Sequence, residues 1–376
     1  MDQSGISEGT LRDVVRACVG KPEAVIERWR VEPVVDVLTN FATAALVRVS
    51  GIACGGGARL PWSLVVKRVQ SLRHSPGLAL IPEEMRESNI ASYPWRSELD
   101  AYRSDLAALL PAGLRAPVVY LIEEHDDDRA TMWMEDVATD PAAVWDLDRY
   151  ARAAALLGRM AARRRPADVS GYEPAEGTRR FCEAALLPGM IPALRDPAMW
   201  RHPLLATAAD PSLRGDLLRL ADELPGLLAA LRALPQTFVH GDACPQNLLI
   251  PVADPEGFVA IDWFWSSGVE PVGFDLGQLL AGGCEAGWLD PRQLASVYAT
   301  ILPPYIDGLH AEGFDADPRD VELGFVGPLV MRSAFTSLPL DLLAAEPTDE
   351  LRERFAQRAR YARFLTDLGL ALPLAA

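Results

Sequence analysis

Between Val239 and Asn247 the chain reads Val-His-Gly-Asp-Ala-Cys-Pro-Gln-Asn, a strand-like end that enters a loop and leaves toward the apolar stretch Leu248-Leu249-Ile250. Asp242 and Asn247 stand five apart, so one tight loop can aim a carboxylate at an acceptor hydroxyl and an amide oxygen at a metal ion. Fifteen residues past Asn247, the apolar run Phe258-Val259-Ala260-Ile261 ends in Asp262. A carboxylate at a strand end, set beside the Asn-bearing strand by a short hairpin, is placed to share a magnesium ion. A base for the acceptor, oxygen ligands for magnesium and a cation for the phosphates are what phosphoryl transfer asks of a protein. A chance His-Gly-Asp turn would not predict the hairpin and the second aspartate.

The cation has a candidate in Lys67. The chain holds 36 Lys and Arg together, yet only Lys21 and Lys67 are lysine. Arginine therefore serves wherever a cation merely faces water, and a retained lysine marks a need for a compact, flexible point charge. Cys244 beside Asp242 invites a covalent reading, but without a second histidine nearby in sequence it reads as a small packed residue. Trp263 and Trp265 read as packing groups. His74, His125, His202 and His310 show no ligand spacing.

Bulk properties bound the partners. The formal net charge of −16 disfavours nucleic acid or an anionic membrane as the main partner. Between Ser266 and Glu350 fourteen acids face three arginines, Arg292, Arg319 and Arg332. Most of that acid reads as solvated surface; the sharper reading is that some of it lines a pocket for a cationic substrate. Five scattered cysteines, odd in number and without a CxxC pair, argue against a disulfide framework and a zinc site. No window has the apolar length of a membrane span, and the first residues lack a secretory signal, so a cytoplasmic location is expected.

The elements that must position these groups fall into two parts. Residues 8–18 read as a short amphipathic helix ended by Gly20-Lys21-Pro22. Residues 40–54 and 60–69 read as two strands around Gly55-Gly56-Gly57, which is equally a plain hairpin turn or a phosphate-covering loop. A helix is expected over 97–110, closed by Pro111, and strands over 116–123 and 130–134. After Val137 the pattern turns helical, with helices expected over 142–165 and around 224–231. Short strands are expected at 237–239, 248–250 and 258–261, and mostly helix follows Gly273.

The pattern HGDxxxxN, followed by an apolar strand and Ile261-Asp262-Trp263, resembles the aminoglycoside phosphotransferase and choline kinase family, relatives of the protein kinases. The resemblance implies that Asp242 is the catalytic base, that Asn247 and Asp262 hold Mg²⁺, and that His240 supports the loop. It implies that Lys67 grips the nucleotide phosphates, oriented by Glu98 on the following helix, with Asp100 and Glu83 as rivals for that part. Adenine would meet backbone groups near Met134, Glu135 and Val137. Asp275 in Gly273-Phe274-Asp275-Leu276 would cap its helix and hold the catalytic loop. Against protein kinases, Trp263-Phe264 follow Asp262 and only twelve residues separate it from Asp275. That leaves no room for a phosphorylation-ordered activation loop and favours a small-molecule acceptor.

The expected architecture is an α+β, two-lobed protein-kinase-like fold. An N-terminal antiparallel-sheet lobe would span 1–137 and a mainly helical C-terminal lobe 138–376. The expected activity is transfer of the γ-phosphoryl group of ATP, or alternatively GTP, to the hydroxyl of a polar small molecule, an amino sugar of aminoglycoside type or another amine-bearing compound, with Mg²⁺ as cofactor. A kinase acting on a peptide or protein and a non-catalytic nucleotide-binding scaffold are the competing readings. No nucleic-acid or membrane partner is expected.

Overall fold

The computed structural model describes residues 6–373 apart from 36, 37, 39 and 165–172. The N-terminal part is a five-stranded sheet in the order β1-β2-β3-β6-β5, antiparallel throughout. Its strands are β1 (Val25–Pro33), β2 (Thr43–Gly55), β3 (Ala58–Gln70), β5 (Val119–Asp126) and β6 (Arg129–Glu135). The two-residue strand β4 (Leu114–Arg115) leaves that sheet and pairs in parallel with β9 (Phe258–Ala260), which also pairs with β8 (Leu248–Leu249). β7 (Gln236–Val239) pairs with β10 (Ser267–Pro271).

The helix Glu8–Val19 buries Leu11, Val14 and Val15 against the outer face of the sheet and stops at Gly20, whose φ of 65° lets its amide close on Ala17. In β3 the period of two sends Leu64 and Val66 to that outer core, while Val69 belongs to a second cluster with Leu99, Met132 and Phe264. Lys67 shares the second face. The strand alternation thus turns the lysine toward the rest of the molecule.

One of the two readings left open for the glycine triplet holds, and one strand joins those expected. The Gly55-Gly56-Gly57 triplet is the β2–β3 hairpin turn, with φ of 59° and 79° at Gly56 and Gly57. The chain that joins β1 to β2 instead leaves and re-enters the sheet at its lysine end, because Leu46 pairs with Lys67 and Thr43 with Val69. That connection exists because β1 precedes β2, a strand not anticipated. A register shift between Ile26 and Arg28 breaks its alternation, and its side chains are largely exposed.

The helix expected over 97–110 is two helices, Ser97–Arg103 and Leu106–Leu109. Leu99 packs in the sheet's cluster, whereas Leu106 and Leu109 pack in the large helical core, so the chain breaks where it changes cores. The helix expected over 142–165 starts later, at Leu147, where the Asp146 carboxylate accepts from Arg149 N, and ends at Ala162. Residues 165–172 lie outside the described part.

The helical part encloses one large apolar cluster. Its central crossing joins the helices Leu147–Ala162 and Leu294–Ala311. A Cβ on Gly158 would lie 2.1 Å from Tyr305 O, and one on Gly308 would lie 2.2 Å from Ala155 O. The two backbones therefore touch through reciprocal glycines. The Tyr305 hydroxyl then accepts from Gly273 N at 3.1 Å, linking this crossing to the chain that enters the Asp275–Glu285 helix. No described helix is long and apolar enough to cross a membrane.

Candidate active site

The loop after β7 is held from beneath by one carboxylate. Asp275 Oδ2 accepts from His240 N at 2.8 Å and Oδ1 accepts from Gly241 N at 2.9 Å. Asp275 does not cap its own helix, as was expected of it; Phe274 occupies that position without a side-chain bond. The carboxylate is spent on the loop because two buried amides there would otherwise be unpaired. Gly241 has φ 85°, and a Cβ on it would lie 2.1 Å from Trp265 O, so a side chain fails on both counts.

His240 is completely buried, and burial drives its pKa down, so it stands neutral. Nδ1 accepts from Asp242 N at 3.2 Å, which leaves the proton on Nε2 to be donated to Ile261 O at 2.9 Å. The ring thus ties the residue before Asp262 to Asp242 itself. The β8–β9 register completes the frame: Leu248 pairs with Ala260, and Ile261 N donates to Asn247 O at 2.9 Å. Asn247 and Asp262 are brought together by that hairpin.

Asp242 is mostly buried, and burial raises its carboxyl pKa above the ordinary carboxylate value; the Arg332 charge opposes the rise, while Asp262 and Glu285 add to it. Asn247 Nδ2 donates to its backbone oxygen at 2.9 Å and to Oδ2 at 3.1 Å. Arg332 Nη2 donates to Oδ1 at 3.3 Å, and Nη1 to Gly241 O at 3.0 Å. Gln278, with its amide turned so that donors face acceptors, donates to Oδ1 at 3.2 Å and accepts from Arg332 Nε at 3.1 Å. Sequence reasoning missed both Arg332 and Gln278. The available signals were an arginine isolated in an acidic stretch and a glutamine one helical turn beyond Asp275.

Across from the loop, Lys67 Nζ lies 2.5 Å from Glu98 Oε2 and 2.9 Å from Asp262 Oδ1. Burial works against the ammonium, but the two carboxylates hold its pKa above the ordinary lysine value. Burial raises the Glu98 pKa, and Lys67 offsets part of that. Asp100 and Glu83, the rivals, are exposed. Asp262 adopts φ 61°, ψ 62°, a conformation costly for a non-glycine residue and characteristic of functional sites.

Among the described residues no three His, Cys, Asp or Glu gather as a metal cage. The donor chemistry of Asn247 and Asp262 nevertheless fits magnesium, which keeps several waters and takes phosphate oxygens alongside one or two protein ligands. With Nδ2 of Asn247 committed to Asp242, its amide oxygen is the atom left for that role.

The remaining candidates separate. Met134 is buried in the sheet's cluster. The Glu135 carboxylate pairs with Arg115 at 2.6 Å, and its amide donates to Val118 O at 2.8 Å. Val137 follows the end of β6, half-buried. Burial pushes the Cys244 thiol up to about 12, too high for a ready thiolate. Trp263 is buried with its ring 4.4 Å from that of His240, whereas Trp265 is 49% exposed. Phe41, Tyr93 and Phe264 form a line of rings, 6.5 and 5.8 Å apart, from the β1–β2 connection to the segment past Asp262.

A sequence model described as a phosphotransferase enzyme family matches residues 88–316, more than half of the chain. No curated protein matches. Among solved structures, the chain is similar to a microcompartment-associated aminopropanol kinase at 15% identity and TM-score 0.47, covering 97% of this chain and 100% of that one. It is similar to an aminoglycoside phosphotransferase from Alicyclobacillus acidocaldarius at 17% identity and TM-score 0.48, covering 95% and 96%. A spectinomycin phosphotransferase solved with ADP and spectinomycin matches at 10% identity and TM-score 0.46, covering 98% and 99%.

Proposed function

The chain belongs to the phosphotransferase enzyme family, and from that membership we propose that it moves the γ-phosphoryl group of ATP to a hydroxyl of a small, amine-bearing molecule. The observation that carries the reading is the meeting of Lys67, Glu98 and Asp262 at 2.5 and 2.9 Å, with Asp262 linked through Ile261 and His240 to Asp242.

Each side chain then has a task. Lys67, oriented by Glu98, binds the nucleotide phosphates in place of its present partner Asp262. Asn247 and Asp262 hold Mg²⁺, which when bound neutralises charge on the transferring phosphates. Asp242 accepts the acceptor's proton through a carboxylate that burial makes more basic. His240 acts by position alone, since both ring nitrogens are engaged. Adenine is assigned to the backbone from Met134 to Val137. GTP in place of ATP is an alternative.

The acceptor's chemistry is supported by one carboxylate. Several acids of the 266–350 stretch have other work: Asp290 pairs with Arg292, Glu312 with Arg159 and Arg163, and Asp317 caps the helix it precedes. Glu285 differs. Its Oε1 accepts from Ser333 Oγ at 2.7 Å and from Tyr361 OH at 3.1 Å, and its charge reaches Asp242. An exposed carboxylate oriented by two buried hydroxyls is suited to an ammonium group near the reacting hydroxyl.

The test is ATP consumption measured against amino sugars, nucleosides, choline-like amines and peptides. Turnover with an amine-bearing small molecule, lost in Glu285→Gln, supports the reading; turnover with peptides alone would replace it by a protein-directed kinase.

A further inference from the structure

We propose that Arg332, ninety residues along the chain from Asp242 and beyond the family-matched segment, is the positioning residue of the catalytic base. The inference rests on the phosphotransferase reading of this site. A carboxylate that must take a proton from one direction has to be prevented from rotating about its Cβ–Cγ bond, and that needs partners on both oxygens. Asn247 Nδ2 holds Oδ2 at 3.1 Å. Arg332 Nη2 and the Gln278 amide hold Oδ1 at 3.3 and 3.2 Å.

The guanidinium is itself fixed. Nη1 donates to Gly241 O at 3.0 Å, so one planar fork spans the loop backbone and the side chain that the loop presents. Gln278, only 4% exposed, accepts from Nε and Nη1 at 3.1 and 3.3 Å. Gln278 and Asp275 sit on one helix, three positions apart, so the helix that holds the loop amides also holds the arginine. A lysine could offer the charge but not the two-point fork.

The delivery of Arg332 is also specific. The helix Pro318–Leu329 passes into a π-helical turn, Val330–Ala334, after Pro328, and Arg332 projects from that turn. A π turn shifts the angular register of every residue it contains, and such turns concentrate at functional sites. From that turn Arg332 reaches Asp242 in the loop, while its neighbour Ser333 bonds Glu285 at the end of the Asp275–Glu285 helix.

The test compares the wild-type chain with Arg332→Gln, Arg332→Lys and Arg332→Ala. The readout is phosphate release from Mg·ATP with water as acceptor, and transfer to any acceptor the screen finds. Arg332→Gln is expected to lose roughly 10²-fold in kcat, the scale of a misplaced catalytic group, with KM for ATP and the nucleotide Kd unchanged. Arg332→Lys should fall between, and millimolar guanidinium should restore part of the Arg332→Ala activity. Crystal structures of wild type and Arg332→Gln give a readout independent of turnover, with the Asp242 carboxylate expected to rotate off Asn247. An unchanged kcat, a parallel loss of Tm and nucleotide affinity without guanidinium rescue, or an unmoved carboxylate would overturn the positioning role. A wild-type chain that turns over no ATP with any acceptor would instead overturn the phosphotransferase reading, leaving the crystallographic comparison to decide the role of Arg332.

Discussion

At the scale of single residues, the two aspartates at the centre are chemically alike and separated by their surroundings. Asp242 is mostly buried between Asn247 and an arginine, which suits a base held ready; Asp262 is more open and paired with the ammonium. Asp242→Asn should therefore lower transfer by roughly 10²–10⁴-fold while leaving nucleotide binding near normal, the range for a lost general base. Steady-state kinetics with calorimetry would check this, and unchanged turnover would remove Asp242 from the mechanism. Asp262→Ala should weaken nucleotide binding mainly when magnesium is present; equal loss with and without magnesium would count against a metal role. The loop's geometry was legible in the sequence because Asp242, Asn247 and Asp262 are close along the chain and their spacing implies a loop and a hairpin. Glu98 was harder to separate from Asp100 by spacing, and burial distinguishes them.

At the scale of elements, periodicity was a good guide wherever an element packs on one face. The strands β2, β3, β5 and β6 and the helix Glu8–Val19 fall close to where the pattern put them. Periodicity failed where an element has no buried stripe, as in β1, and where one apolar pattern serves two cores, as across Ser97–Leu109. Helix crossings are a further feature that local pattern does not encode. The reciprocal approach of Gly158 and Gly308 leaves no room for even a methyl group. Gly308→Ala should accordingly destabilise the chain by about 1–3 kcal/mol, the usual penalty for overpacking, read as a lower midpoint in urea unfolding. A midpoint equal to wild type would show that the crossing can spread without loss.

At the scale of the whole molecule, a buried acid ties distant segments together and makes stability depend on pH. Glu270 on β10 is 2% exposed and accepts from Gly177 N and Thr178 Oγ1 at 2.8 and 2.9 Å. Burial lifts its pKa from 4.5 to about 7, against those two donors, with the Asp275 charge adding to the rise. Between those values the folded chain holds more protons than the unfolded one, so this group's contribution falls as pH rises. It is fully present below about 4.5 and lost through about 7, an effect of about 3 kcal/mol. Thermal unfolding of wild type and Glu270→Gln should diverge across that window, and parallel curves would refute the assignment. Composition, periodicity and the spacing of HGDxxxxN by themselves determined the sheet-then-helix order and the local geometry of the 240–247 loop, because those depend on neighbours in the chain. Only the tertiary structure decided that Lys67 meets Asp262 across 195 residues, that Asp275 leaves its own helix uncapped, and that Arg332 and Gln278 bond the Asp242 carboxylate. Those contacts follow from which faces of separate elements pack together, and no local run of sequence carries that information.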